Sequence, residues 1–420
     1  MNARMQSDVV AQIITRFEQW VKQTTDEFIN LHDEQDVQKV EEHIRDGMRA
    51  ISAELMQQLL QQAIDQRQES SRCCPNCQQR RRHRGVRPRS LRTSFGSITV
   101  HGIYWGCPWC KQCGHSAESI MPECFSRLMR DCIGLSGAAM PSFHKAEIVI
   151  KRLMGMEIHA ETVRRHCHAM GSSLMSESTP EPVAEGDEII GSCDGTMVRT
   201  REGGWRELKS YRFEHSGSVC GGAFLEKAEH FTPRLQLVAQ SLCSDRARRT
   251  TFISDLATWI RHGVRDHLPG WQHIADYWHV CQHVHAAGEA IYGKHDPRAE
   301  KWSAYWCRRL RWHGGEETTS KLRRIVLHYR SLDKQKALFV LIHFLDKHAS
   351  MLDYPEYERE ELPIGSGPME SFCNQLGLRM KGPGMHWSER NVTSMAMLVS
   401  HFSINPDQSL IPLKSAERAA

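Results

Sequence analysis

The chain has 420 residues, 25% of them charged and 40% hydrophobic, with a net charge of only +4 at neutral pH. That length suits two or three domains, and the composition is globular rather than disordered or fibrous. No apolar run reaches the roughly 20 residues that a membrane-spanning helix needs, and the opening MNARMQSDVV has no signal-peptide core, so a cytoplasmic protein is expected.

Residues 1–70 read as helical. Val10, Ile13, Ile14, Phe17, Trp20 and Val21 recur at helical spacing, and so do Ile44, Met48, Ile51, Leu55 and Leu59. This region predicts packing or assembly, with no visible chemistry. In 71–125, two cysteine knuckles, Cys74-Pro-Asn-Cys77 and Cys107-Pro-Trp-Cys110-Lys-Gln-Cys113, flank a β-like segment from Thr93 to Tyr104. Two pairs of thiolates at one end of a hairpin are the layout of a zinc ribbon. With fifteen cysteines and no export signal, metal ligation is expected before disulfides. The second knuckle has three cysteines; Cys110 and Cys113 are the expected ligands beside Cys74 and Cys77, with Cys107 the alternative. Between the knuckles, RRRHRGVRPRSLR places seven arginines and no acid, among them Arg80, Arg81, Arg82, Arg84 and Arg87. Such density favours phosphate backbones.

Residues 126–175 contain a helix-turn-helix pattern. Ala146, Val149, Ile150 and Leu153 share one face, Gly155 and Glu157 fall in the turn, and HAETVRRHCHAMG would present Arg164 and Arg165 to a groove. The polar stretch SESTPEPVAEGDE marks a boundary. Beyond it the pattern turns to strands. EIIGSCDGTMV sets Asp194 in the first, Arg206–Glu214 and Arg234–Leu242 read as two more, Arg248–Val264 as an amphipathic helix, and GWQHIADYWHV as a short strand ending on Asp276 and leading into a helix. Three strands, helix, strand, helix is the order of an RNase H-like α/β core, expected over 186–296 and 362–405. Residues 297–361 read as an all-helical insertion, and 406–420 as a tail. In the insertion, Trp302, Trp306, Trp312, Arg308, Arg309 and Arg311 are either core or a DNA clamp, the core being the commoner use of such aromatics. His279 and His283, one turn apart, read as packed polar residues before they read as a transition-metal pair.

The last marked stretch is PIGSGPMESFCNQLGLRMKGPGMHWS, where a glycine turn delivers Glu370 into the first turn of a helix. Asp194 in CDGT, Asp276 in ADYWHV and Glu370 in GSGPMES, with the tail RMKGPGMHWS, resemble the DDE triad of bacterial insertion-sequence transposases, most closely the group often called the ISKra type. The resemblance covers roughly residues 70–402. It implies an RNase H-like core with two Mg2+ (or Mn2+) ions held by Asp194, Asp276 and Glu370, and a structural Zn2+. It implies double-stranded DNA as partner, both the element's terminal inverted repeats and a target, contacted also by Arg379 and Lys381. Synapsis of two ends implies a homo-oligomer on DNA. A nuclease of the same fold without strand transfer, and a DNA-binding regulator without catalysis, are the alternatives.

Overall fold

The computed structural model describes residues 3–67, 73–74, 76–177 and 180–406, and the chain divides into two compact units at His166/Cys167. Among the described residues no helix is long and apolar enough to cross a membrane.

The first unit opens with α1 (Ala3–Glu27) and α2 (Glu34–Arg67). Three antiparallel strands follow, β1 (Arg82–Thr93), β2 (Gly96–Gly106) and β3 (Cys113–His115), in the order β1-β2-β3. The second half of α2 lies on this small sheet. Ile64 packs with Leu91, Ile98, Val100, Ala117 and Met121. Gln57 accepts from the Thr99 N–H at 3.0 Å, and Gln61 accepts from the His101 N–H at 2.7 Å and donates to its carbonyl at 2.8 Å. Part of the supposed assembly region is therefore the lid of the cysteine-bearing sheet, because three short strands cannot bury an apolar face alone. Val10, Ile14, Phe17 and Val21 on α1 stay exposed.

Three helices follow: α3 (Arg127–Ala139), α4 (Phe143–Met154) and α5 (Ala160–Glu177), the division between units falling within α5. Ser126 and Ser142 cap α3 and α4 through backbone N–H groups three residues on, and α4 stops at Gly155 in the left-handed conformation. The predicted helix, turn and helix are present. Leu153, expected on the buried face, is exposed, and Ala146 and Ile150 carry the burial.

The second unit is built on a five-stranded mixed sheet in the order β6-β5-β4-β7-β8. Its strands are β4 (Glu188–Thr200), β5 (Gly204–His215), β6 (Ser218–Phe224), β7 (Arg249–Ser254) and β8 (Gln272–Ala275). β4, β5 and β6 form an antiparallel meander, and β7 and β8 extend it parallel to β4. Helices α6 (Ala228–Ser241) and α7 (Thr258–His267) cover the face that carries Ile189, Cys193, Phe213 and Phe252. Ile253 and Ile274 join a second core with α8 (Tyr277–Tyr292), α9 (Pro297–Val326), α10 (Leu332–Lys347) and α11 (Tyr354–Arg359). The insertion is thus helical, as its pattern predicts. α9 is two helices meeting at Gly314, whose φ of 71° only glycine adopts freely, and the Gly315 N–H donates to the Leu352 carbonyl there at 2.9 Å. Trp306 is buried in this core and Trp312 is exposed. α12 (Gly367–Met380) and α13 (Glu389–Ile404) complete the unit.

Two element assignments are corrected. Arg234–Leu242 is not a strand but the end of α6. Phe231, Leu235 and Ala239, four apart, are all buried, so the helical period wins over the local alternation of Leu235 and Leu237. The third strand is instead Ser218–Phe224, disguised by Gly221 and Gly222. The predicted helix Arg248–Val264 begins with strand β7, whose Thr250, Thr251 and Ile253 are β-branched, and becomes helical only from Thr258. β8 is consequently the fifth strand, and the fourth ends just before Asp255.

Candidate functional site: an acidic cleft and a four-cysteine cluster

The parallel strands β4, β7 and β8 bring three acids together: Asp194 in the middle of β4, and Asp255 and Asp276 just past the ends of β7 and β8. β4 pairs with β7 with Ser192 opposite Ile253, and β7 pairs with β8 with Ser254 opposite Ala275. Continuing those registers sets Asp194 beside Asp255 and Asp255 beside Asp276. Asp194 and Asp255 each stand two residues beyond a paired partner, hence on one face of the sheet. The carboxyl ends of parallel strands are where open α/β sheets place their ligands. Asp255 is the residue that sequence reasoning missed. The signal was the β-branched run before it, read as helix.

α12 supplies the fourth acid. Gly367 and Pro368 start the helix after Ser366, and Glu370 sits in its first turn, exposed, as the glycine turn predicts. One cleft of about 710 Å3 is lined by Asp194, Thr196, Glu370, Cys373, Asn374 and Lys381, among others. Asp194 and Glu370, far apart in sequence, therefore share a cavity.

The four acids differ in how their oxygens are used. Asp194 is half-buried and accepts from the Gly195 N–H at 2.6 Å. Burial raises its carboxyl above the ordinary value, and the charge of Asp255 pushes the same way. Asp255 accepts from the Ala257 N–H at 2.9 Å and makes no other hydrogen bond among the described residues. Asp276, fully buried at 0% exposure, caps α8. Its Oδ1 accepts from the His279 N–H at 2.9 Å, and its Oδ2 accepts from the Ser366 N–H at 2.5 Å and the Ser366 hydroxyl at 2.6 Å. Burial works to raise this carboxyl, yet the bonds from His279 and Ser366 outweigh it and hold it at about 2. Gly365 lets the loop carrying Ser366 pass the Trp278 ring, which a Cβ would meet at 3.1 Å.

Asp276 thus ties the start of α8 to the start of α12. Asp276→Asn will cost about 2–4 kcal/mol, because an amide nitrogen must then face a donor inside the fold. Thermal melts in Mg2+-free buffer will show the loss. The folded carboxyl lies below its ordinary 3.8, so this stabilisation is complete above about pH 4 and fades as the pH falls toward about 2, and the gap between wild type and variant will narrow over that window. A gap that stays constant down to pH 2 would exclude the ionised carboxylate as its source.

None of the four acids forms a salt bridge with lysine or arginine among the described residues; His279 Nδ1 lies 3.2 Å from Asp276 Oδ1 and 3.9 Å from Glu370 Oε1. Ligand atoms of Asp276, His279 and Glu370 all lie within 4.8 Å of one another. Carboxylates placed this close, without a salt-bridged lysine or arginine, could hold a divalent cation. Asn374, one turn after Glu370, is exposed beside it. His283 stacks on Phe344 at 3.8 Å and takes no part.

Two residues from the tail of this motif separate. Lys381 is exposed and lines the cleft. Arg379, expected on DNA, is only 4% exposed, and its guanidinium lies over the Trp387 ring at 5.0 Å. Burial lowers it to about 10. It is a core cation holding the turn, since a phosphate cannot reach it without unpacking Trp387. Trp387 itself is buried and donates from Nε1 to the Met380 carbonyl at 3.0 Å.

In the first unit, Cys74, Cys77, Cys107 and Cys110 gather into one cluster. The Sγ atoms of Cys74 and Cys110 are 3.4 Å apart, and those of Cys77 and Cys107 3.5 Å. Tetrahedral Zn2+ with bonds of about 2.3 Å sets its sulfurs about 3.8 Å apart, so the quartet could bind zinc with little movement. The backbone N–H of Cys77, aided by that of Asn76, pulls Cys74 down to about 6, and those of Cys110 and Trp109 lower Cys107. The expected ligand Cys113 is corrected to Cys107. Lys111 turns the chain at φ 63°, so Cys113 emerges exposed at the start of β3, its Sγ directed to the Lys111 carbonyl.

The arginine run forms the strand β1 and its approach. Arg80, Arg82, Arg84 and Arg87 are exposed, Arg81 is half-buried, and none makes a salt bridge among the described residues. Arg87 lies 4.1 Å over the Tyr104 ring. Arg164 is paired with Glu161 at 2.6 Å, whereas Arg165 is exposed and reaches the Thr162 hydroxyl at 3.5 Å. No protein-family model matches the chain, and no curated protein matches it.

Proposed function

We propose that this protein is a DNA transposase of the DDE type, cutting DNA at the terminal repeats of an insertion sequence and joining the ends to a target. The observation that carries the reading is the register that sets Asp194, within β4, beside Asp255 and Asp276 just past β7 and β8, with Glu370 brought by a later helix into the cleft that Asp194 lines. An antiparallel meander extended by two parallel strands, order β6-β5-β4-β7-β8, supports an RNase H-like core. Asp194, Asp255, Asp276 and Glu370 would hold Mg2+ or Mn2+. Such ions activate an attacking oxygen and stabilise a leaving one at phosphorus.

The chain's own residues do the rest. Lys381 at the rim neutralises a substrate phosphate, and Asn374 donates and accepts hydrogen bonds next to Glu370. The Ser366–Asp276 contact keeps Glu370 in register with the strand ends. The unpaired arginines of β1, on a sheet stapled by zinc, make a phosphate-binding face, and the start of α5 offers Arg165 to a groove. Arg164, tied to Glu161, must exchange that partner to reach DNA.

A strand-transfer assay with terminal-repeat DNA, a target plasmid and Mg2+ tests this reading. Wild type will give joined products, and Glu370→Gln will lower their rate by about 10³-fold, or about 4 kcal/mol. Cleavage without joining would make the protein a nuclease of the same fold. Joining by Glu370→Gln at the wild-type rate would remove Glu370 from the chemistry.

A further inference from the structure

We propose that Asp276, His279 and Glu370 form a mixed nitrogen–oxygen metal position that takes a first-row transition cation, Mn2+ above all, in preference to Mg2+. This deepens the phosphoryl-transfer reading and rests on it for the use of the cleft, but not for the ligand set.

The ligands are presented by one local construction. Asp276 caps α8 by accepting from the His279 N–H at 2.9 Å, which sets the imidazole one turn along on the same side. Ser366 then binds the other Asp276 oxygen and fixes the start of α12, where Glu370 projects. Asp276 Oδ2 accepts two bonds from Ser366, while Oδ1 carries one backbone bond and lies 3.2 Å from His279 Nδ1. That Nδ1 is buried and makes no aligned hydrogen bond, although it lies 3.2 Å from Asp276 Oδ1 and 3.9 Å from Glu370 Oε1. Those two contacts are ion pairs when the ring is protonated, whereas a neutral ring turns the same nitrogen into a metal donor. A cation with bonds of about 2.1–2.2 Å holds adjacent octahedral ligands about 3 Å apart and opposite ones about 4.3 Å apart. The 3.2 Å between His279 Nδ1 and Asp276 Oδ1 is close to the adjacent value, and the 3.9 Å to Glu370 Oε1 closes to it by a small rotation of the exposed Glu370 side chain.

The nitrogen decides which cation. Mg2+ prefers oxygen, keeps its waters and gains little from imidazole, whereas Mn2+ and its neighbours accept both donors. The rival account is an imidazolium bridging two carboxylates, which needs no metal. The two differ in whether nitrogen touches the ion.

Electron paramagnetic resonance on the full chain with its zinc in place separates them. Titrated with Mn2+, the wild type will bind a first ion showing nitrogen hyperfine coupling, and displacing it will need about tenfold more Mg2+ or greater. His279→Gln will lose the coupling and weaken Mn2+ binding by about tenfold, with Mg2+ affinity changed less than about threefold. Zinc content and melting temperature report whether that variant folds; if it does not, the wild-type spectrum alone decides. Bound Mn2+ without nitrogen coupling, or undiminished Mn2+ binding by folded His279→Gln, overturns the proposal. Nitrogen coupling in a protein that neither cuts nor joins DNA would keep this site and sink the transposase reading. Strand transfer with no coupling would do the reverse.

Discussion

Asp255→Asn is expected to lower metal-dependent strand cleavage by about 10³-fold or more, a loss of about 4 kcal/mol in transition-state stabilisation, with the melting temperature almost unchanged. Asp255 is half-buried and its one hydrogen bond is to the Ala257 N–H, which an asparagine oxygen also accepts. The substitution therefore removes charge beside Asp194 and little from the fold. Asp194→Asn should behave similarly, since its Oδ1 needs only the Gly195 N–H. Asp276→Asn should differ from both by losing stability along with activity, because three donors converge on that carboxylate. Cleavage rates and melting curves for the three variants form one test. Cleavage by Asp255→Asn at more than a tenth of the wild-type rate would return the second aspartate's role to Asp276 alone.

Cys107→Ser is expected to abolish zinc binding to the first unit, whereas Cys113→Ser should leave one zinc per chain. The quartet of Cys74, Cys77, Cys107 and Cys110 leaves Cys113 exposed. Structural zinc sites hold about 10–16 kcal/mol of apparent binding energy, more than a three-stranded sheet with a small core can replace. Loss of the metal should therefore melt β1 to β3 and release α2 from the face it covers. Metal content by atomic emission and proteolysis between residues 73 and 115 would report it. Equal zinc content in both serine variants would show that Cys113 substitutes for Cys107. Because the arginines of β1 are displayed by that sheet, Cys107→Ser should also weaken DNA binding and flatten its salt dependence.

The patterns that survived from sequence to structure are local ones. The helix start at Gly367 and Pro368, the knuckle at Cys74 and Cys77, the strand around Asp194 and the helices of the insertion are each dictated within a few residues by turn chemistry or periodicity. Failures came where two periods compete. Leu235 and Leu237 alternate like a strand inside a helix whose buried residues are Phe231, Leu235 and Ala239. Arg249–Ser254 is short enough that a following amphipathic helix absorbed it. That second error moved the end of the fourth strand and so hid Asp255.

The sequence by itself determined which groups are present for chemistry: acids within a strand, at a strand end and at a helix start, paired cysteine knuckles, and an arginine-dense strand, because each is coded by neighbours a few positions away. Tertiary structure alone decided which of them meet. The parallel register of β4, β7 and β8 brought Asp255 between Asp194 and Asp276, the turn at Lys111 chose Cys107 over Cys113, and packing against Trp387 withdrew Arg379 from the surface. Each of these choices depends on contacts between residues far apart in the chain, where no local period or turn rule acts.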